Sequence, residues 1–192
     1  LLLLHGFPQF WYAWRHQIPA LANRFRVVAP DLRGYNETDK PRRVRDYRVD
    51  VLASDVAALT AALGEKTAYV AGHDWGGAVA WVAAANHPDV VTKLAILNCP
   101  HPAQMRTHLL SSFRQLRKSW YMFFFQLPWI PERAILKNDA SIVTPMFRGL
   151  AKNKAAFSDA DLDVFRKALQ VPGALTAALA YYRAAFRYPW VG

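Results

Sequence analysis

Five residues, Gly72-His73-Asp74-Trp75-Gly76, constrain this chain more than any other stretch. They fall between the apolar run Thr67–Ala71, which reads as a strand, and the Ala-rich run Gly77–Asn86, which reads as a buried helix ending before Pro88. A strand that passes directly into a helix puts the central residue on a sharp, strained turn. Its φ is expected to be positive, with its side chain raised at the C-terminal edge of a sheet. The residues two before and two after must then be small, because the two backbones nearly touch there. Gly72, Gly76 and the additional Gly77 meet that demand. The helix beginning just past Asp74 also turns the positive end of its dipole toward the carboxylate. A helix-capping aspartate would share the local pattern. The strand before it, the helix after it and the upstream His5-Gly6-Phe7-Pro8 favour a reactive side chain.

The rest of residues 1–100 alternates short apolar runs with helical ones. Leu1–Leu4 reads as a strand that ends at the turn His5-Gly6-Phe7-Pro8. Arg26–Ala29 reads as a second, closed by Pro30-Asp31 and a turn through Gly34. From Tyr47 to Leu63 the apolar positions Val51, Leu52, Val56, Leu59 and Leu63 recur at helical spacing, and Gly64 stops the run. Val91–Leu97 is a fourth strand. Strands separated by helices imply a parallel sheet with helices on both faces. After Pro100 no segment reads as a strand. Helical stretches at about Gln104–Phe125, Asp159–Leu169 and Gly173–Phe186, dense in aromatics, predict a helical cap. The expected architecture is therefore α/β, with a partial core over residues 1–100 and a cap over residues 101–192.

Composition excludes several function classes. Hydrophobic residues make up 53% and charged residues 20%, which indicates a globular chain. No apolar run approaches the roughly 20 residues of a membrane span. Leu1–Leu4 also lacks the basic flank and cleavage site of a signal peptide, so a buried strand is the better reading. The single cysteine, Cys99, excludes an internal disulfide framework, leaves no cysteine cluster for zinc and fits a reducing, cytoplasmic setting. A net charge of +10 would suit nucleic acid. The basic residues, however, are scattered through Arg24–Arg48, Arg106–Lys118 and Arg148–Lys154, with no nucleic-acid motif, and no such partner is expected. The alternative expectation is an incomplete chain whose remainder is more acidic.

An aspartate on this turn, where serine is usual, changes the reaction class. A carboxylate attacks saturated carbon and forms an ester on the protein itself, which water must then hydrolyse at the Asp74 carbonyl. The substrate needs a leaving group on that carbon, as strained epoxides and alkyl halides have. Hydrolysis develops an oxyanion, which backbone N–H donors stabilise by about 3 kcal/mol each. In an architecture of this kind the donors are expected from the residue after the elbow's central one and from the loop after an earlier strand, here the N–H groups of Trp75 and Phe7. Pro8 fixes the Phe7 loop, with a cis bond as one option, and His5 reads as a structural hydrogen-bonding residue rather than a base. No metal or cofactor is called for.

His5-Gly6-Phe7-Pro8 followed by Gln9-Phe10-Trp11-Tyr12, then Asp31-Leu32-Arg33-Gly34-Tyr35, then Gly72-His73-Asp74-Trp75-Gly76-Gly77 resembles the epoxide hydrolases of the α/β-hydrolase superfamily. The likeness runs over nearly the whole chain. Asn36 departs from it, where the family more often has Gly. The resemblance implies an α/β-hydrolase fold and cofactor-independent hydrolysis of a small, largely apolar epoxide to a vicinal diol. It also implies two cap tyrosines that hydrogen-bond the epoxide oxygen. Tyr121, in Trp120-Tyr121-Met122, matches the first; Tyr182, in Tyr181-Tyr182-Arg183, matches the second, with Tyr181 as its rival. A haloalkane dehalogenase would instead cradle a halide between the Trp75 indole and a second donor. The usual asparagine is Phe7 here, which leaves Trp120, Trp129 or Trp190 for that role. A non-catalytic ligand-binding relative is the third reading.

The family mechanism also needs a histidine to activate water and an acid to orient it, both implied to follow the cap. Asn98 stands where some relatives place the acid. The histidines are His5, His16, His73, His87, His101 and His108, and none suits the base. With Trp190-Val191-Gly192 falling at the end of the cap, the expectation is a fragment that lacks its base and, alone, does not turn over.

Overall fold

Three parallel strands in the order β1-β2-β3 carry the centre of the molecule: β1 (Leu2–Leu4), β2 (Ala68–His73) and β3 (Val91–Leu97). The computed structural model describes residues 1–190, and for residues 106 and 108–110 the backbone alone. Leu4 pairs with Gly72 and Gly72 with Ile96, so all three strands end at the same edge. Leu2, Leu3 and Leu4 are each no more than 2% exposed, as a strand covered on both faces requires. The expected strand at Arg26–Ala29 is a correction. It makes one parallel bridge, Leu2 to Val28, held by Leu3 N–H to Val28 O and Val28 N–H to Leu1 O, each 2.9 Å. Pro30 has no N–H and restricts Ala29, so the ladder cannot lengthen.

The crossover from β1 to β2 contains a 3₁₀ turn (Trp11–Trp14), α1 (Gln17–Ala22), a second 3₁₀ turn (Val44–Tyr47) and α2 (Val49–Ala62). On α2, Leu52, Ala53, Val56 and Thr60 face inward, and Gly64 at φ +79° ends the run. Helix α3 (Trp75–Asn86) begins directly after Asp74, two residues earlier than its Ala-rich stretch suggests, and leads to β3.

From residue 102 to 187 the regular elements are all helical. The single helix expected over Gln104–Phe125 is a second correction: it is three pieces, α4 (Pro102–Ser111), α5 (Phe113–Lys118) and α6 (Trp120–Phe124). Ser112 leaves the helical region and accepts the Gln115 N–H at 3.3 Å, while Ser119 takes Gln115 Nε2–H at 2.9 Å. Serine side chains that offer the backbone an alternative partner break helices in this way. Next come α7 (Ile130–Ala140), which kinks at Lys137–Asp139, and α8 (Val143–Leu150), neither foreseen. The last two are α9 (Asp159–Gln170) and α10 (Ala174–Arg187). A capping box between Ser158 and Asp161 opens α9.

Apolar side chains gather in two main clusters. One joins the sheet to α2, α3 and the Ala177, Ala178, Tyr181 and Ala184 side of α10. The other joins Phe10 to Phe125, Phe147, Phe165 and the Leu175, Leu179 and Tyr182 side of α10. Each fully buried large side chain contributes about 1.5–3 kcal/mol, so α10 is held from both sides. Among the described residues no helix is long and apolar enough to cross a membrane.

Candidate active site

Asp74 sits on the turn from β2 to α3 with φ +54° and ψ −121°, a conformation that L residues rarely adopt. The flanking backbones leave no room for a side chain. A Cβ on Gly72 would lie 2.2 Å from the Gly76 carbonyl oxygen, and one on Gly6 would lie 2.4 Å from the Asp74 Cβ. The turn is fixed by Asp74 N–H donating to Leu97 O at 3.3 Å and Ala78 N–H donating to Asp74 O at 3.0 Å.

The β1 loop meets this turn from the side. Phe7 N–H donates to Asp74 Oδ1 at 2.9 Å. The Phe7–Pro8 bond is cis, and Gln9 N–H closes the loop on Gly6 O at 2.8 Å. His5 is fully buried, with Nδ1 on Gly6 O at 3.1 Å and Nε2 accepting the Leu32 N–H at 2.9 Å. Those partners make Nδ1 the protonated nitrogen, and desolvation lowers the His5 pKa to about 4. His5 is therefore a neutral strut between β1 and the Asp31–Gly34 segment.

Asp74 is half-buried as a residue, yet its carboxyl lies deep enough for desolvation to raise its pKa. Hydrogen bonds from the Phe7 and Trp75 N–H groups and the neighbouring His73 oppose that rise.

Aromatic rings close over the carboxylate. Tyr182 lies edge-on to Trp75, Phe7 and Phe125, with ring centroids 5.0, 5.4 and 4.9 Å away. Tyr121 is 6.0 Å from Tyr182 and 5.7 Å from Phe125. Burial first, then the Asp74 charge, raises the pKa of both Tyr121 and Tyr182, so both phenols stay protonated. Tyr181 faces elsewhere. Its hydroxyl donates to Arg33 O at 2.7 Å, and its ring rests between Tyr35 and Tyr47 at 5.3 and 5.7 Å.

The remaining sequence candidates disperse. Trp120 and Trp129 are 63% and 74% exposed, and Trp190 packs near His101 at 5.8 Å. His16 is exposed, His87 follows the end of α3, and His101 stacks edge-on to Trp81 at 5.0 Å. The His108 side chain lies outside the described residues, as do Val191 and Gly192. No histidine ring among the described residues hydrogen-bonds Asp74; His73 Nε2 meets Asn98 Nδ2 at 3.5 Å. Among the described residues no group of three His, Cys, Asp or Glu could hold a metal ion. A cavity of about 310 Å³, lined by Leu1, Phe25, Arg26, Leu63, Tyr69 and Thr92, opens at the opposite end of the strands from Asp74.

The burial or bonding of three polar groups beside the site is not marked in the sequence. Tyr35 carries a buried hydroxyl without a partner among the described residues, Gln126 spans two helices, and Arg183 is 9% exposed. A charged or amide side chain in an amphipathic stretch reads as solvated surface, so nothing local marks its burial.

Residues 1–162 match the alpha/beta hydrolase fold family, and the chain belongs to that family. It is 44% identical to the AB hydrolase superfamily protein YfhM of Bacillus subtilis (strain 168), covering 96% of this chain and 64% of that one. It is 40% identical to epoxide hydrolase 4 of Homo sapiens, covering 97% of this chain and 52% of the relative. The structure of Bacillus megaterium epoxide hydrolase in complex with an inhibitor superposes with a TM-score of 0.84 at 32% identity, covering 95% of this chain and 64% of that one. The chain thus spans between about half and two thirds of the length of these relatives.

Proposed function

We propose that the protein is an epoxide hydrolase in which Asp74 opens the epoxide ring, forming an ester that water hydrolyses to a vicinal diol. The observation that supports this reading is a carboxylate whose neighbours Phe7 and Trp75 pack against Tyr182, with Tyr121 beside it and both phenols held protonated. One Asp74 oxygen attacks the less hindered ring carbon, the C–O bond breaks, and the departing oxygen takes hydrogen bonds and a proton from the tyrosine pair. Desolvation strengthens the nucleophile, because an anion stripped of water lies closer in energy to the delocalised transition state.

The second step places an oxyanion on the former Asp74 carbonyl. The Phe7 and Trp75 N–H groups, already directed at the carboxyl, are its proposed donors. Activation of water needs a base. Among the described residues no histidine ring hydrogen-bonds Asp74, so this step is assigned to the protein as a whole. The proposal includes a core over residues 1–100, a lid over residues 101–192, an apolar epoxide as substrate and a cytoplasmic setting consistent with the lone Cys99. A halide-releasing site would need a second donor beside the Trp75 indole. Phe7 has none, and Trp120 and Trp129 point into solvent.

The test is to incubate the full-length protein with styrene oxide and, separately, with a 1-bromoalkane, and to assay diol and bromide beside an Asp74→Ala variant. Diol that disappears in the variant is the expected result. Bromide without diol would move the assignment to a dehalogenase, and neither product would remove the proposed chemistry.

A further inference from the structure

Two tyrosines can act on one oxygen only if their helices are held in register, and the helix that carries Tyr121 is poorly equipped to hold itself. Helix α6 has five residues, between the break at Ser119 and the turn after Phe125. A helix that short has no stability of its own. Tyr182 stands on the 14-residue α10. The polar connection between them is made by the residue next to Tyr182. Arg183 Nε–H donates to Phe125 O at 3.0 Å and Nη2–H to Leu127 O at 2.9 Å, while Nη1–H meets Glu132 Oε1 at 2.8 Å. The first two acceptors are carbonyls at and just past the end of α6, where a helix leaves such groups unpaired and favours a cation. Gln126 adds a second tie, donating from Nε2 to Met122 O at 2.9 Å and to Tyr182 O at 3.3 Å.

We infer that Arg183, anchored by Glu132 and aided by Gln126, is the positioning residue that fixes the separation of Tyr121 and Tyr182. The inference rests on the epoxide-opening role proposed for that pair. The guanidinium and its Glu132 partner have side chains only 10% and 12% exposed. A buried ion pair is a poor stabiliser compared with apolar residues of the same volume, so its presence points to specificity of arrangement. Three acceptors in three directions also require the planar fork of arginine, which a lysine ammonium cannot reproduce. Successive side chains on a helix fan out by about 100°. The same turn of α10 thus sends Tyr182 over the carboxylate and Arg183 onto the end of the Tyr121 helix.

The experiment compares Arg183→Lys and Glu132→Gln in the full-length protein, labelled with 3-fluorotyrosine and assigned through Tyr121→Phe, Tyr182→Phe and Tyr181→Phe. Fluorine NMR reads the tyrosine pair whether or not an epoxide is turned over. In parallel, single-turnover kinetics separate formation of the Asp74 ester from its hydrolysis. Arg183→Lys is expected to shift or broaden the Tyr121 and Tyr182 signals and leave Tyr12 and Tyr69 in place. It should slow ester formation at least tenfold, because displacements near 1 Å are felt on that scale. Ester hydrolysis should change less than about twofold, since it does not use the tyrosines. Glu132→Gln should give the same pattern at smaller size and carries the test if Arg183→Lys does not fold. Unmoved tyrosine signals, or both steps slowing together, would overturn the inference. If the unmodified protein forms no ester, the proposed function fails, and the NMR result alone upholds or rejects the clamp.

Discussion

Tyr181 and Tyr182 are neighbours in sequence and both buried, yet their hydroxyls meet different surroundings. Tyr181 donates to Arg33 O, whereas Tyr182 packs on Trp75 and Phe7 beside Asp74. Tyr181→Phe should leave a carbonyl unpaired and lower stability by about 1–2 kcal/mol, with ester formation unchanged. Tyr182→Phe should slow ester formation about 10–100-fold at a melting temperature near that of the parent. Stopped-flow kinetics beside calorimetry would check the pair, and a rate loss on Tyr181→Phe would reverse the assignment. His5 gives a prediction of another kind. Burial holds its folded pKa at about 4 against 6.5, so the unfolded chain binds a proton that the folded one refuses. Its contribution to stability is complete above pH 6.5 and is lost as the pH falls toward 4. His5→Gln removes that dependence along with two hydrogen bonds. The urea-derived stability gap between parent and variant should therefore narrow by about 2–3 kcal/mol from pH 7.5 to 4.5. A gap independent of pH would mean that His5 is not buried neutral.

Between elements, a polar contact joins the β1 loop region to α9 beside the packing of Phe10 on Phe165. Tyr12 Oη–H donates to Asp161 Oδ1 at 3.0 Å, Arg15 Nε lies 3.0 Å from the same oxygen, and Ser158 Oγ–H meets Oδ2 at 2.7 Å. The Arg15 and Asp161 side chains are 12% and 16% exposed, so solvent screens them little. Asp161→Ala should cost about 2–3 kcal/mol. A double-mutant cycle with Arg15→Ala should give a coupling of about 1–2 kcal/mol, and zero coupling would contradict a latch at this point. Legibility in the sequence followed locality. The elbow at Asp74, the strands β1, β2 and β3 and the helices α2, α3, α9 and α10 are written in runs of adjacent residues, and they stand within a few residues of where the sequence puts them. Helices α4 to α8 are less local. Ser112 and Ser119 cut a continuous apolar pattern, and the start of α7 was signalled only by Pro131 and Glu132 after Trp129. The convergence of Phe7, Tyr121 and Tyr182 on Asp74 could be expected from family likeness, but no spacing in the chain encodes it. The Arg183 clamp could not be read at all, because its partners are backbone carbonyls 56 and 58 residues away.

Across the whole molecule, α10 joins the two main apolar clusters. Its alanine face and Tyr181 pack on the sheet side, and its Leu175, Leu179 and Tyr182 face packs among the aromatics above Asp74. The elbow sets the proposed nucleophile, Asp74, and the same helix that closes the core sets one phenol of the cap. That arrangement suits a reaction in which the protein itself is transiently esterified, and this is the central claim. It is tested most directly by a single turnover of the full-length protein, in excess over styrene oxide, in ¹⁸O-labelled water, with mass spectrometry of the peptide containing Asp74 and of the diol. Attack by Asp74 followed by hydrolysis at its carbonyl predicts label in Asp74 and unlabelled diol in the first turnover. Labelled diol with an unlabelled Asp74 would mean that water opens the ring directly, and the carboxylate would then be a base or a structural cap instead of the nucleophile.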